Sequence, residues 1–550
     1  MGVYVSLLVR RYLTTRIIPL IAVGAVALCV ALVTVVVSVM SGFLENLRNS
    51  GRTLMGDVVV SYPVQGIPWY QDLIADIERL PGAEAATPLV DTYGLVRMPY
   101  PDGGNKDVVT AQVWAIEPDS FARVTEFDRT IWWKPADAAQ ALAMAPDDPR
   151  RTLTGKEYGN AKAMRDADTG APGALLGMHV SVVNQRQRDG SYRPRVERWW
   201  MPSHEVTVTL VPISEKGQVS QSNSRVFKVV NVVISGVVQE DRYRIFIPLK
   251  DGQELLRLDE APVVDTDAEP DAQGNLPVIG TSPARATQVL VRAKPGVTPR
   301  ELRDQVTEAY AAFWGRKAAD RSVRVRPPAP DYVTVQTWEE RLRDIIAPVE
   351  RERQMMRILF SLTYLVCAGL ILAIFWSIVS EKTRDIGILR AVGAGRLGVL
   401  RIFLAYGLVI GAVGSLAGAG LGWLIIRNIN DIHMALGEDA PAWSWTAAYL
   451  LAALAGTMAL RALIASRVLA TLLRSVAALV LAGIGTGLYL HKGFLMWDPA
   501  VYYFATIPSQ MDWTNAVVTC IGATVFSVLG AAVPAARAAD IDPVRALRYE

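Results

Sequence analysis

The residues of this sequence that could serve enzymatic chemistry are few and scattered. One formal G-x-G-x-x-G pattern is present, at Gly393, Gly395 and Gly398. In a dinucleotide-binding fold such glycines follow a strand and open a helix within a βαβ unit. Here they follow a basic stretch between two long apolar runs, which excludes that interpretation. The sequence also contains no G-x-x-x-x-G-K-[ST] motif, so the chain has no P-loop for ATP.

The residue types that bind metals or act as nucleophiles are not grouped. The four histidines are far apart in sequence, at His179, His204, His433 and His491. The three cysteines all fall inside apolar runs, at Cys29, Cys367 and Cys520. The pattern therefore predicts no zinc site and no disulfide in the polar region. Because no nucleophile–base pair is evident either, we expect a protein that is not an enzyme by itself.

The composition indicates a mixed architecture. The chain has 550 residues, of which 51% are hydrophobic and 20% charged. That is too apolar for an ordinary soluble enzyme and too polar for a protein made only of membrane helices. The net charge is only +3, so no overall positive field favours nucleic acid.

Apolar runs without charged residues predict an α-helical membrane bundle of about six spans. The predicted spans are residues 17–44, 358–380, 402–426, 440–460, 475–490 and 514–535. Arginines in the flanking segments 1–16, 381–401 and 536–550 place these three segments, and with them both termini, in the cytoplasm. Gly407-x-x-x-Gly411 and Gly414-x-x-x-Gly418-x-x-x-Gly422 predict close helix packing for the third span.

A large polar region, residues 45–357, follows the first span and is expected outside the cytoplasm. Runs rich in β-branched residues predict strands, and two amphipathic stretches predict helices. We therefore expect this region to fold as an α+β domain. The predicted strands are 57–61, 108–116, 206–211, 226–238 and 287–291, and the helices 69–80 and 299–313. Residues 338–357 carry an apolar stripe and are expected to continue into the next span as one of a pair of stalk helices, with residues 46–54 as the other.

The stretch 381–401 is the most informative part of the chain. It is basic, lies between two spans, and predicts a short amphipathic helix that ends at Gly393 and Gly395. Ile386, Leu389 and Val392 recur at helical spacing. Such a helix offers a docking surface to a cytoplasmic partner, although a solvated positive-inside loop explains the same charges.

Three segments resemble one family. EKTRDIGILRAVGA (381–394), SVMSGFLENLR (38–48) and PAARAADIDPVRALRYE (534–550) resemble LolC/LolE-type permeases of lipoprotein-releasing ABC transporters, within the FtsX/MacB-like superfamily. The resemblance implies a bacterial inner-membrane protein whose large domain is periplasmic. It also implies two lobes in that domain: one from about 57–120 and 285–335, and one from the middle. The runs 440–460 and 475–490 depart from the family as an extra hairpin.

In that family the stretch after the second span docks into a separate ABC ATPase. The resemblance implies that ATP and magnesium are bound by that partner, and that this chain binds no cofactor. A second permease copy or a sibling is also implied. The corresponding docking residues are Glu381, Lys382, Thr383, Arg384, Asp385, Ile386, Gly387, Arg390 and Gly393.

The resemblance further implies a lipoprotein cargo and a periplasmic carrier. Acyl chains would meet the outer ends of the first two spans, at Met40, Phe43, Leu44, Met355, Met356 and Leu359, where packing within the protein is the alternative. A basic, aromatic loop at 185–205 is a candidate carrier contact through Arg195, Arg198, Trp199 and Trp200. Alternatively, its tryptophans cover the core of their own domain.

Two other functions fit the same topology. A mechanotransmitting or sensing permease would transport nothing and would act on a cell-wall hydrolase or a kinase. A MacB-like efflux subunit is disfavoured, because such chains usually carry their own ATPase domain.

Overall fold

The structure is a computed structural model. It describes residues 17–100, 106–136, 150, 155–181, 183–187, 192–194, 196, 200–202, 204–213, 217–236, 238–264, 277–437, 442–464, 468–490 and 506–542. The chain divides into two compact units. One comprises residues Met1–Phe43 and Glu350–Glu550, and the other Leu44–Val349.

The Leu44–Val349 unit is an α+β domain. Its strands are β1 (Val58–Ser61), β2 (Ile67–Pro68), β3 (Ala83–Pro99), β4 (Lys106–Ile116), β5 (Gly173–Gly177), β6 (Asn184–Arg186), β7 (Tyr192–Pro194), β8 (Glu205–Leu210), β9 (Asn223–Val233), β10 (Arg244–Pro248), β11 (Ala261–Val264), β12 (Val278–Ser282), β13 (Arg285–Ala286), β14 (Gln288–Ala293) and β15 (Thr334–Thr337).

The numbering of helices begins in the other unit with α1 (Ile17–Arg52), whose last residues enter this domain. The helices that follow within the domain are α2 (Tyr70–Glu78), α3 (Pro118–Val124), α4 (Phe127–Thr130), α5 (Lys156–Ala163), α6 (Val238–Tyr243), α7 (Leu249–Leu256), α8 (Pro299–Ala319) and α9 (Trp338–Arg341).

Nine strands form one sheet in the order β15-β1-β14-β3-β4-β10-β5-β9-β8. The last strand, β8, also pairs with β3, so β3, β4, β10, β5, β9 and β8 close into a barrel. The first part of β3, from Ala83 to Leu89, pairs with β14, whereas Gly94–Arg97 pair with β8. Gly94 permits this switch, because a Cβ there would lie 2.5 Å from the Leu210 side chain.

The domain has separate hydrophobic cores on this shared sheet. Residues from the two ends of the region form one core, where α2 and α8 cover β1, β3 and β14. A second core fills the barrel with residues such as Val113, Val208 and Phe227. The expected two-lobe arrangement is therefore present in outline. However, β4 lies in the barrel rather than in the first lobe, and β3 belongs to both.

The sequence-predicted elements of this domain are largely present. Two boundaries differ from the prediction. The predicted strand 226–238 is too long, because β9 ends at Val233 and Val238 begins α6, and the predicted helix 299–313 is too short, because α8 continues to Ala319. The long strand β3 was not predicted, since Pro88, Gly94 and Pro99 interrupt its β-branched pattern.

The second unit is helical. It contains α1, α10 (Arg343–Glu381, which begins in the α+β domain), α11 (Thr383–Ala391), α12 (Arg396–Arg427), α13 (Ile429–Gly437), α14 (Ala442–Ile464), α15 (Val468–Leu490) and α16 (Trp513–Asp540). Both α1 and α10 are continuous across the boundary between the units. They have 36 and 39 residues, or about 54 Å and about 58 Å of helix.

Five helices of the described residues are long and apolar enough to cross a membrane, which makes this a multi-pass membrane protein. They are Leu20–Asn49, Ile346–Glu381, Arg396–Arg427, Trp443–Ala462 and Trp513–Asp540. The apolar part of α15, Ala477–Leu490, is shorter. A total of six spans therefore stays a prediction.

Glycines bring α12 close to two other helices, as the spacing predicts. A Cβ at Gly418 would lie 2.4 Å from the Ala27 carbonyl oxygen of α1. A Cβ at Gly411 would lie 2.8 Å from the Ser527 Cβ of α16. The same glycine-lined face of α12 thus packs on α16 in its first half and on α1 in its second half.

The predicted extra hairpin is formed by α14 and α15, which pack mainly on each other. The Tyr449 and Thr486 hydroxyls are 3.0 Å apart, and the Trp445 and Tyr489 ring centroids are 5.3 Å apart.

Candidate functional site

The short helix α11 connects the ends of two membrane-length helices. It begins at Thr383, two residues after α10 ends, and α12 follows from Arg396. Its end is a Schellman motif: the Ala394 N–H donates to the Leu389 carbonyl oxygen at 3.0 Å, and the Gly393 N–H to that of Arg390 at 3.1 Å. Gly393 has a φ of +112°, which glycine adopts without strain. Its predicted position at the helix end is therefore explained by backbone conformation.

One side of α11 is part of the hydrophobic core of the membrane unit. Ile386 is only 3% exposed and lies in the same cluster as Val399, Phe403 and Ala538. Gly387 is also buried. The prediction that Ile386 contacts a partner from the surface is therefore wrong. The helical period grouped Ile386 with Leu389 and Val392, but Ile386 faces the chain's own core whereas Val392 is exposed.

Arg390 is directed toward the end of the last helix. Its Nη1 donates to the Ala539 carbonyl oxygen at 3.0 Å and also to the Ile541 carbonyl oxygen. Carbonyl groups at a helix C-terminus lack partners within the helix, and a cation there also interacts favourably with the helix dipole. Arg390 thus fixes α11 to α16, so its predicted pairing with a partner competes with contacts inside the chain.

The opposite side of α11 is exposed and has mixed chemistry. We call it the α11 outer face and define it by Glu381, Arg384, Ile388 and Val392, which recur three or four residues apart. Ile388 is 47% and Val392 84% exposed. Apolar side chains this exposed, next to charged ones, suit a protein interface. Ile388 was not predicted, although its four-residue spacing from Arg384 was a signal for it.

The remaining predicted docking residues have local partners. Lys382 Nζ lies 2.7 Å from Asp385 Oδ2. The Thr383 hydroxyl donates to the Val379 carbonyl oxygen at 3.0 Å. These contacts stabilise the turn between α10 and α11.

The candidate lipid-contacting residues have different environments. Met355 and Leu359 of α10 are 61% and 56% exposed. Met40, Phe43 and Met356 are partly exposed. Leu44 is 2% exposed and belongs to a core cluster of the α+β domain, together with Leu54 and Leu342. The prediction of a lipid contact at Leu44 is therefore wrong, because this residue lies below the surface.

Of the four candidate carrier-contacting residues, Trp200 is described, whereas Arg195, Arg198 and Trp199 lie outside the described residues. The Trp200 ring stands edge-on to buried Trp133, with centroids 5.1 Å apart. Nearby, the Arg150 guanidinium lies 3.7 Å from the ring centroid of Trp132. Trp200 thus covers the core of its own domain, which was the alternative expectation for this loop.

No group of three or more histidine, cysteine, aspartate or glutamate side chains is arranged to hold a metal ion within the described part of the chain. The α11 outer face is therefore an exposed surface on a short helix whose other side packs against α12 and α16.

Comparisons with known proteins give one family match and several relatives. Residues 357–475, which include α11, match the FtsX-like permease C-terminal family.

The relatives carry the more specific names. The lipoprotein-releasing system transmembrane protein LolC of Xylella fastidiosa (strain 9a5c) is 27% identical over 42% of this chain and 43% of its own length, so this match spans less than half of the relative. LolC of Neisseria meningitidis serogroup B is 23% identical over 97% of this chain and 94% of its own length. The chain is thus similar to permeases of the LolC/LolE type, in agreement with the resemblance of the three sequence segments.

A solved structure was also matched, the periplasmic region of MacB from Actinobacillus actinomycetemcomitans. It is 11% identical, covers 55% of this chain and 96% of its own length, and has a TM-score of 0.27. A TM-score of this size does not establish a shared fold.

Proposed function

We propose that this chain is the permease subunit of an ABC transporter that extracts lipoproteins from the inner membrane and transfers them to a periplasmic carrier. A separate ATPase docks on the α11 outer face and binds ATP and magnesium. A second permease copy or a sibling completes the complex. The α+β domain is periplasmic, and both termini are cytoplasmic.

The observation that carries this proposal is the environment of α11. Its inner side is held by Ile386 and Arg390, whereas Arg384, Ile388 and Val392 stay exposed. A partner that binds the exposed side of α11 can displace this helix, and the contacts on its inner side can then displace α12 and α16.

The lipoprotein cargo is supported by the names of the relatives, which belong to a lipoprotein-releasing system. Exposed Met355 and Leu359 offer apolar contacts for acyl chains. Thioether and aliphatic side chains suit a flexible apolar ligand, since they adapt to its shape.

The test is purification of the chain from its native membrane in mild detergent, with identification of every retained protein. We expect a P-loop ATPase together with acylated lipoproteins. An ATPase retained with a periplasmic hydrolase or a kinase, and no lipoprotein, would instead favour a permease that transmits force or a signal. Absence of any ATPase would contradict both functions.

A further inference from the structure

The last helix, α16, contacts α11 at one end and α1 at the other. It has 28 residues, or about 42 Å of helix. Arg390 of α11 binds carbonyl groups at its C-terminal end. At its N-terminal end, the Asp512 carboxylate accepts a hydrogen bond from the Ser41 hydroxyl of α1 at 3.2 Å. All of these residues belong to the same compact unit.

The contact at the C-terminal end is specific. Arg390 is partly buried, and the neighbouring Ala535 and Ala538 are fully buried in the same cluster as Ile386. A second arginine, Arg396, also lies near this end, 3.9 Å from Asp540. Both side chains of that pair are more than 70% exposed. An exposed pair at this distance contributes little, so Arg396 provides a matched control for Arg390.

The middle of α16 is tightly packed. A Cβ at Gly530 would lie 2.5 Å from the Ala368 carbonyl oxygen of α10, and one at Gly407 would lie 2.8 Å from the Ala531 Cβ. Pro534 removes one backbone hydrogen bond of the helix but is buried in this packing. Tightly packed interiors transmit displacements rather than absorbing them.

The contact at the N-terminal end involves a short segment of α1. Asp512 caps α16 by accepting the Asn515 N–H at 3.0 Å. The Gln510 N–H donates to the Ser38 carbonyl oxygen at 3.4 Å. A Cβ at Gly42 would lie 2.7 Å from the Pro508 carbonyl oxygen. This part of α1, Ser38–Gly42, also contains Met40, a candidate lipid-contacting residue.

We infer that α16 mechanically couples α11 to the Ser38–Gly42 part of α1. A displacement of α11 reaches α16 through Arg390 and reaches α1 through Asp512. Arg390 and Asp512 are positioning residues in this route. The source of the displacement rests on the proposed function, whereas the mechanical connection does not.

The first test uses the ATPase complex. The three native cysteines are replaced by serine, Met40→Cys is introduced, and its labelling rate by a membrane-impermeant maleimide is measured with and without ATP and vanadate. ATP hydrolysis is measured on the same samples.

We expect nucleotide trapping to change the labelling rate of Met40→Cys about fivefold or more, as is typical of coupled sites. The change should persist in Arg396→Ala and Asp512→Asn, since the asparagine Oδ1 can still accept the Asn515 N–H and its Nδ2 can donate to the Ser41 hydroxyl oxygen. It should be lost in Arg390→Ala and Asp512→Ala. A parent-like change in either alanine variant would overturn the inference.

The second test needs no ATPase and separates the inference from the proposed function. Amide hydrogen exchange is measured on the full chain alone in detergent. Arg390→Ala should speed exchange in the last turn of α16 and also in its first turn, near Trp513–Ala516, whereas Arg396→Ala should change neither. Faster exchange confined to the last turn would show that the two ends are not connected, even if the chain proves to be a permease.

Discussion

The Arg390 guanidinium donates a hydrogen bond to the Ala539 carbonyl oxygen at 3.0 Å, which joins α11 to the end of the last helix, α16. This contact changes the interpretation of the basic residues in 381–401. From the sequence alone, all of these residues have the same interpretation, as the positive charges of a cytoplasmic loop. In the structure Arg390 faces inward, whereas Arg384 faces outward. We therefore expect them to have different functions.

Substitutions of the two isoleucines of α11 are expected to affect different properties, stability at Ile386 and ATPase docking at Ile388. Ile386→Ala removes a side chain that is 97% buried, so it should destabilise the chain by about 2–5 kcal/mol. Ile388→Glu changes an exposed position and should leave stability unchanged while weakening ATPase docking. Thermal unfolding in detergent and ATP hydrolysis by the complex measure the two effects. Equal loss of stability in both variants would contradict the assignment of inner and outer faces.

Two nearby glycines of α12 provide a matched pair. Gly418→Ala would place a methyl group 2.4 Å from the Ala27 carbonyl oxygen, so it should separate α12 from α1 and lower the melting temperature. Gly420 has nothing within 4 Å, and alanine there should be neutral or stabilising, by up to about 1 kcal/mol. If the two variants unfolded at the same temperature, the close packing of α1 on α12 would be wrong.

Asp241 and His179 of the α+β domain are expected to have opposite pH effects. Burial raises the pKa of Asp241 to about 6, helped by nearby Glu240. The folded domain therefore keeps a proton that the unfolded chain loses from about pH 4, so this group lowers stability as pH rises from about 4 to 6. Its full effect is about 3 kcal/mol.

Burial lowers the pKa of His179 to about 4, with contributions from Arg186 and Arg242. The unfolded chain then binds the extra proton, so this group raises stability as pH rises from about 4 to 6.5. Asp241→Asn should leave a stability that increases with pH over this range, and His179→Gln one that decreases. Thermal unfolding at pH 4 to 7 measures both slopes. Identical profiles in the two variants would contradict these assignments.

Trp200 is expected to stabilise its own domain. Its edge-on contact with Trp133 alone accounts for about 1 kcal/mol, so Trp200→Ala should lower the unfolding temperature. Tyr332 is 73% exposed, and Tyr332→Ala serves as the control that should have no effect. Unchanged stability in Trp200→Ala, with lost binding of a periplasmic carrier, would restore the carrier contact as its main role.

The sequence predicted the individual helices and strands better than the way in which they pack together. Charge-free runs and helical spacing sufficed for the membrane helices and for α11, because these signals are local. The barrel was not predictable, since its closure depends on Gly94 of β3 meeting Leu210 of β8, more than a hundred residues later. Similarly, Ile386 and Ile388 are two residues apart and therefore lie on different sides of α11. Only the packing of α12 and α16 shows that the Ile386 side is the buried one.

The most direct test of the account is ATP hydrolysis by the purified complex carrying Arg384→Glu, a charge reversal on the α11 outer face. The matched control is Arg461→Glu, which reverses another exposed arginine, at the end of α14. We predict that Arg384→Glu lowers stimulated hydrolysis roughly tenfold or more, as for a charge reversed within an interface, while the melting temperature stays unchanged. Arg461→Glu should behave like the parent. Normal hydrolysis in Arg384→Glu, or equal loss in both variants, would contradict docking on this face.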